Sequence, residues 1–284
     1  MSPTPTVTPI TPSIGAEVGD VSLADIPGDT ALSETIRAAL LKHQVLVFRQ
    51  QQIDREQHKA FGRLFGELHV HPSKRSPTAK GDPEIFTVKA DETTTRNNGG
   101  RWHMDVSCDE IPPRGSILLL TDAPADGGDT VFANMNLAFE TLSAPVKAFL
   151  SELTAYHDGL QDLRWYGYQP EPGSTYPATS HPVVVAHPDT GQPILNVNEA
   201  FTSHIEGLAA AESDAILAML FAHISSNPLL HCRVRWEPGT VVFWDNRAVQ
   251  HFAVWDYFPN LRRGERVSIC GVEAPQPAFS ARGR

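Results

Sequence analysis

Arg101-Trp102-His103-Met104-Asp105 places an imidazole and a carboxylate two residues apart. On an extended strand, that spacing puts both side chains on one face. A single ion could then take both. A third candidate lies far down the chain, where the apolar run Val241 to Trp244 enters the polar stretch Asp245-Asn246-Arg247 and reaches His251. Two histidines and one carboxylate on one face of a metal form the facial triad of non-haem Fe(II) oxygenases, which leaves coordination positions open. The same three residues alone also fit a structural zinc site or a set of hydrogen-bonded core histidines.

The chain that must position them has 284 residues, 41% of them hydrophobic. That supports one large core, and a single domain over 1–284 is expected. The formal net charge is -10, and no basic run is longer than Arg262-Arg263. Nucleic acid and anionic membrane are therefore not expected partners. Cys108, Cys232 and Cys270 have neither CxxC nor disulfide-framework spacing. Reduced thiols in a cytoplasmic protein are the simpler expectation. The N-terminus lacks a basic segment followed by an apolar run, so no signal peptide is read there. The oligomeric state is left open, a homo-oligomer included.

Residues 1–12 alternate Pro and Thr and are expected to be flexible or an extended edge. Asp29 opens a helix with Leu32, Ile36, Ala39 and Leu40 on one face. Gln44 to Phe48 is a short buried strand. Asp54 to Leu64 is a second helix, opened by a capping-box variant at Asp54 and Gln57. Residues 91–100 form a polar loop leading into His103. Ser116 to Leu120 is apolar enough for a central strand, and Thr130 to Ala133 follows Gly127-Gly128. A helix over 136–153 is broken near Pro145. Residues 158–180 lack a clean period and are expected to be a lid loop, with Trp165, Tyr166 and Tyr168 lining it or packing it down. A hairpin flanks His187 to Gly191, a third helix spans 208–224, and the last strands lie at 232–236, 240–244 and 266–270. Many strands with helices inserted favour a mainly β, jelly-roll-like barrel over a Rossmann sheet.

His103, Asp105 and His251, with Gly127-Gly128-Asp129-Thr130, Trp244-Asp245-Asn246-Arg247 and the run Arg262 to Arg266, resemble the taurine dioxygenase family. The resemblance runs from Ile14-Gly15-Ala16-Glu17 to Gly271, with the motifs in the family's order. It implies an Fe(II)- and 2-oxoglutarate-dependent dioxygenase on a double-stranded β-helix (jelly-roll) core, using O2. It implies iron ligation by His103, Asp105 and His251. It also implies that Arg262 and Thr130 hold the distal carboxylate of 2-oxoglutarate, and that Arg266 and His71 hold an anionic substrate. Phe201 resembles an aromatic wall of the substrate pocket.

The residue types suit those roles. A distal carboxylate needs a planar, always-charged partner, which Arg supplies bidentately and Lys cannot. In one regular strand, Arg262, Gly264, Arg266, Ser268 and Cys270 face one way, while Val267 and Ile269 face the other. The sequence departs from the taurine pattern in two places, with Lys74 where that pattern has tyrosine and Gly99 where it has asparagine. The segment between His157 and His181 is also shorter. Taurine or a related alkylsulfonate is the first expectation, with an aryloxyalkanoate or alkyl sulfate ester as the alternative. A non-catalytic metal-binding barrel and a zinc hydrolase are the readings from other classes. Paired arginines beside the third ligand favour the oxygenase.

Overall fold

The computed structural model describes residues 5–75, 80–167 and 175–279. It is mainly β with inserted helices. In chain order the strands begin with β1 (Thr6–Pro9), β2 (Ala16–Gly19), β3 (Val45–Phe48), β4 (Leu68–His69) and β5 (Phe86–Ala90). Next come β6 (Gly115–Asp122), β7 (Thr130–Asn134), β8 (Thr154–Asp158), β9 (Ala178–Pro182), β10 (Val184–Ala186) and β11 (Pro193–Leu195). The last are β12 (Thr202–Ile205), β13 (His231–Val234), β14 (Val241–Asp245), β15 (Val249–Ala253) and β16 (Arg262–Ile269). The helices are α1 (Thr30–His43), α2 (Arg55–Arg63), α3 (Met135–Glu140), α4 (Ala144–Leu150), α5 (Gly159–Trp165) and α6 (Ala210–Ser226).

The major sheet runs β1-β2-β3-β14-β6-β16-β4, with β5 also on β16. A smaller sheet, β13-β7-β15, lies against it, and Phe132 of β7 meets Trp244 of β14 with ring centres 5.6 Å apart. Strand β6 is fully flanked, by β14 and β16, as its apolar run predicts. Its alternate residues serve two cores. Leu118 and Leu120 face the cluster between the sheets, with Phe132, Val242 and Trp244. Ile117 and Leu119 face the cluster under α1 and α2, with Ile36, Leu40, Phe61 and Phe243.

Local chemistry explains the helix starts. The Asp29 carboxylate accepts from the Leu32 N–H at 3.0 Å, opening α1. Asp54 and Gln57 complete a reciprocal capping box on α2, at 2.8 and 2.9 Å. The expected helix over 136–153 is two helices. Asn134 caps α3, and Pro145 sits in the first turn of α4, where its missing N–H costs nothing.

Two expectations need correction, and one alternative is decided. Residues 6–9 form the extended edge rather than a flexible tail, as strand β1 paired with β2. Part of the 158–180 segment is regular, because Asp158 caps α5 through the Leu160 N–H and residues 178–182 pair with β8. Tyr168 lies outside the described residues. The His103–Asp105 stretch is not a strand. His103 makes an isolated bridge to His251, and Asp105 sits in the turn that follows, with Val106 at φ 50°. Among the described residues no helix is long and apolar enough to cross a membrane. The three cysteines are free.

Candidate active site

The cavity of about 330 Å³ between the two sheets gathers residues from distant parts of the chain. His103, Asp105, His251, Thr130, Arg262, Arg266, His71 and Phe201 all line it.

The backbone brings the first three together. The His103 N–H donates to the His251 carbonyl at 3.1 Å, and the His251 N–H donates back at 2.9 Å. This antiparallel pair sets the two imidazoles side by side, with ring centres 4.0 Å apart. Asp105 is then fixed by Asn246, whose Oδ1 accepts from the Asp105 N–H at 2.7 Å. Its Nδ2 donates to the carbonyls of Asp105 at 3.0 Å and Pro113 at 2.8 Å. Asp105 Oδ1 ends 3.8 Å from His103 Nε2 and 3.9 Å from His251 Nε2.

These residues fit a metal ion. One ligand atom from each lies within 4.8 Å of the others. His103 Nδ1 is 2.8 Å from the Arg101 carbonyl. A carbonyl only accepts, so Nδ1 carries the proton there, which directs Nε2 at Asp105 as the atom available for ligation. Burial pushes the His251 imidazole well below its ordinary pKa, with the neighbouring His103 adding to the effect, so the ring is neutral as ligation requires. Burial opposes ionisation of Asp105, but the charge of Arg266, helped by the hydrogen bond from Ser116, outweighs it and holds the carboxyl below the usual range.

Arg262 and Arg266 both project inward from β16, whereas Arg263 is exposed and pairs with Asp122 at 2.9 Å. The parity argument therefore describes the strand correctly, despite a register shift between Arg263 and Gly264. Arg262 is buried, donates from Nε to the Gly128 carbonyl at 3.0 Å and lies 5.5 Å from the Trp236 ring centre. Glycine is required at 128, where φ is +71° and a Cβ would stand 3.3 Å from Arg262 Cδ. Among the described residues no carboxylate lies within ion-pair distance of Arg262. Burial pulls its pKa down from the guanidinium range, so an incoming anion would relieve a buried, uncompensated charge. Thr130 Oγ1 accepts from Trp236 Nε1 at 2.9 Å, which leaves its own O–H free for an acceptor. A buried guanidinium fork beside a free hydroxyl suits a carboxylate.

Arg266 donates from Nη1 to Asp105 Oδ1. Its Nε is buried without a partner. His71 caps the short 3-10 turn Pro72–Lys74, with Nδ1 accepting from the Ser73 N–H at 3.2 Å. Burial, helped by the charge of Arg266, pushes its pKa down to about 3. The ring is neutral with Nε2 as its donor. Phe201 packs with Val106, Cys108 and Ala200 against Tyr176, forming an apolar wall. Gly99 also lines the cavity, and its N–H donates to the Tyr166 hydroxyl at 2.7 Å. Lys74 instead donates to the Lys80 carbonyl at the surface, at 3.1 Å. His69 is held by Asp109 and Arg75 outside the cavity.

Sequence reasoning gave no role to the supporting residues, although Trp244 and Asn246 stood in the Trp244-Asp245-Asn246-Arg247 motif. Trp236, Asp162 and Trp244 line the cavity, and Asn246 and Ser116 hold Asp105 from behind. The Asp245-Asn246-Arg247 turn was a visible signal for Asn246. A lone serine in the apolar run Ser116 to Leu120 was one for Ser116.

Comparison with known proteins gives the family. The family model described as taurine catabolism dioxygenase TauD, TfdA family matches residues 6–270. An alpha-ketoglutarate-dependent sulfate ester dioxygenase of Pseudomonas putida is 36% identical over 279 residues, covering 93% of this chain and 89% of the relative. An alkylsulfatase of Acinetobacter baylyi is 34% identical over 287 residues, covering 97% and 87%. The crystal structure of a taurine dioxygenase from Burkholderia xenovorans superimposes with a TM-score of 0.82 at 36% identity, covering 99% of this chain and 95% of that one. The chain thus belongs to the taurine catabolism dioxygenase TauD, TfdA family and is an Fe(II)- and 2-oxoglutarate-dependent dioxygenase that uses O2.

Proposed function

We propose that this enzyme, one dioxygenase domain on a jelly-roll core, hydroxylates a small organosulfur anion, an alkyl sulfate ester or alkylsulfonate. The two facing sheets support the jelly-roll reading. The free cysteines support a cytoplasmic location. His103, Asp105 and His251 would hold iron, and Arg262 with Thr130 would hold the distal carboxylate of 2-oxoglutarate. Iron, when bound, couples decarboxylation of 2-oxoglutarate to succinate and CO2 with hydroxylation of the substrate. Where the hydroxylated carbon bears sulfate or sulfonate, the product collapses to a carbonyl compound and releases that group.

The observation that carries the substrate class is Arg266. It is a second buried guanidinium on the same strand, and it lines the cavity together with His71, whose neutral ring carries an Nε2–H donor. Together they offer a tetrahedral anion several donors over the triad. The apolar wall of Val106, Phe201 and Tyr176 would then take an alkyl chain. The names of the two curated relatives support sulfate esters. A second reading, an aminoalkylsulfonate such as taurine, is favoured by Asp162. This carboxylate lines the cavity from α5, and burial raises its pKa.

Succinate release across hexyl sulfate, pentanesulfonate, taurine and phenoxyacetate tests these readings. We expect the first two to be fastest. Taurine in first place, with a loss confined to taurine in Asp162→Asn, would establish the second reading. Neutral alcohols outperforming every anion would overturn the anion pocket while leaving the metal site standing.

Arg266→Gln is expected to raise the substrate KM and to uncouple the reaction, so that succinate forms without hydroxylated product. A target bond displaced by about 1 Å can cost on the order of 10²-fold in rate. Parallel assays of succinate and product measure the uncoupling. Full coupling in the variant would remove Arg266 from the substrate site.

A further inference from the structure

Ser116 is the one hydroxyl in the buried, apolar part of its strand, Gly115 to Leu120. It is fully buried on β6, and its face is shared with Leu118 and Leu120. Its Oγ donates to Asp105 Oδ2 at 2.7 Å. The other carboxylate oxygen, Oδ1, is the one that faces both imidazole Nε2 atoms. The two oxygens of Asp105 therefore have different surroundings. One faces the ligand space, and the other is taken by a hydroxyl.

A second hydroxyl stands behind the first. Ser268 of β16 is the register partner of Ser116, and the two Oγ atoms are 3.0 Å apart. An ionised carboxylate only accepts, so the Ser116 proton goes to Oδ2. Ser268 must then donate to Ser116. This gives a directed chain, Ser268 to Ser116 to Asp105, within a sheet whose register holds both serines. Asn246 fixes the Asp105 backbone, so the remaining freedom is rotation of the carboxylate itself.

A carboxylate with both oxygens free can chelate a metal and occupy an extra coordination position. The reaction needs three positions beyond the facial triad, two for the co-substrate and one for dioxygen. We propose that Ser116 is a positioning residue that restricts Asp105 to one-oxygen ligation and so keeps the third position open. Arg266 does not serve this purpose, because it donates to Oδ1, the oxygen on the ligand side. The inference rests on metal ligation by His103, Asp105 and His251.

Nitric oxide, a stable stand-in for dioxygen, tests it by electron paramagnetic resonance without turnover. Wild type, Ser116→Ala and Ser116→Thr would be loaded anaerobically with Fe(II) and 2-oxoglutarate and titrated with the gas. Ser116→Ala should bind Fe(II) but take up nitric oxide at least about tenfold more weakly, the lower range for loss of an outer partner. Ser116→Thr, which keeps the hydroxyl, should restore it. Wild-type uptake by Ser116→Ala would overturn the proposal. If Ser116→Ala does not fold, Ser268→Ala removes the donor that orients Ser116. It should weaken uptake severalfold, and unchanged uptake there would also overturn the proposal. A wild-type protein that binds no Fe(II) would instead overturn the ligand assignment beneath it.

Discussion

Asp105→Ala is expected to reduce Fe(II)-dependent succinate formation to background, and His103→Ala and His251→Ala are expected to do the same. Each variant leaves two protein donors where the facial arrangement needs three. Asp105 is the most informative of the three because it is the only anionic donor and sits between both imidazoles. Its removal also strands Arg266, which loses its carboxylate acceptor while buried. Breaking a buried pair on one side costs about 3–5 kcal/mol. Part of any loss could therefore come from stability, so Asp105→Asn is the control. It keeps the shape and an acceptor for Arg266 while removing the anionic ligand. Anaerobic Fe(II) titration, with thermal unfolding measured alongside, separates the two effects. A variant that binds Fe(II) and turns over like wild type would sink the assignment.

Arg262→Lys is expected to raise the 2-oxoglutarate KM steeply and to leave the prime-substrate KM nearly unchanged. Lysine keeps a positive charge but loses the planar fork, the Nε bond to the Gly128 carbonyl and the position over Trp236. A buried charge-assisted pair is worth roughly 2–3 kcal/mol, and each 1.4 kcal/mol is about tenfold. The expected rise is thus about 30- to 150-fold. The weak visible band formed by Fe(II) with 2-oxoglutarate under anaerobic conditions gives the same affinity without turnover. Arg263→Lys is the matched control, since Arg263 is exposed and paired with Asp122. A larger effect in Arg263→Lys than in Arg262→Lys would refute the role of β16 parity in choosing the anchor.

Most of the element order was legible because it depends on local signals. Capping residues at Asp29 and Asp54, apolar alternation and the break at Pro145 act within a few residues of chain. Strand parity likewise separates Arg262 and Arg266 from Arg263, because alternation along a strand is local geometry. The reasoning was weaker where regularity was assumed. His103 and Asp105 converge, but through a bridge and a turn rather than a strand, and the partner that makes the bridge is His251. The 158–180 segment carried a helix cap at Asp158, which its mixed composition obscured.

The amino-acid sequence by itself determined which groups this protein could bring to chemistry: two imidazoles, a carboxylate, paired arginines on one strand and an excess of negative charge elsewhere. Tertiary structure decided how they are used. Residues 103 and 251 meet only because their backbones pair in an isolated bridge on the strand β15. Asn246, Ser116 and Ser268 reach Asp105 only through turn geometry and the register of β6 against β16. A hydrogen bond needs its partners in place to a few tenths of an ångström. Whether the partners are 11 positions apart, as Ser116 and Asp105 are, or 141, as Asn246 and Asp105 are, that placement is set by packing, turns and strand register.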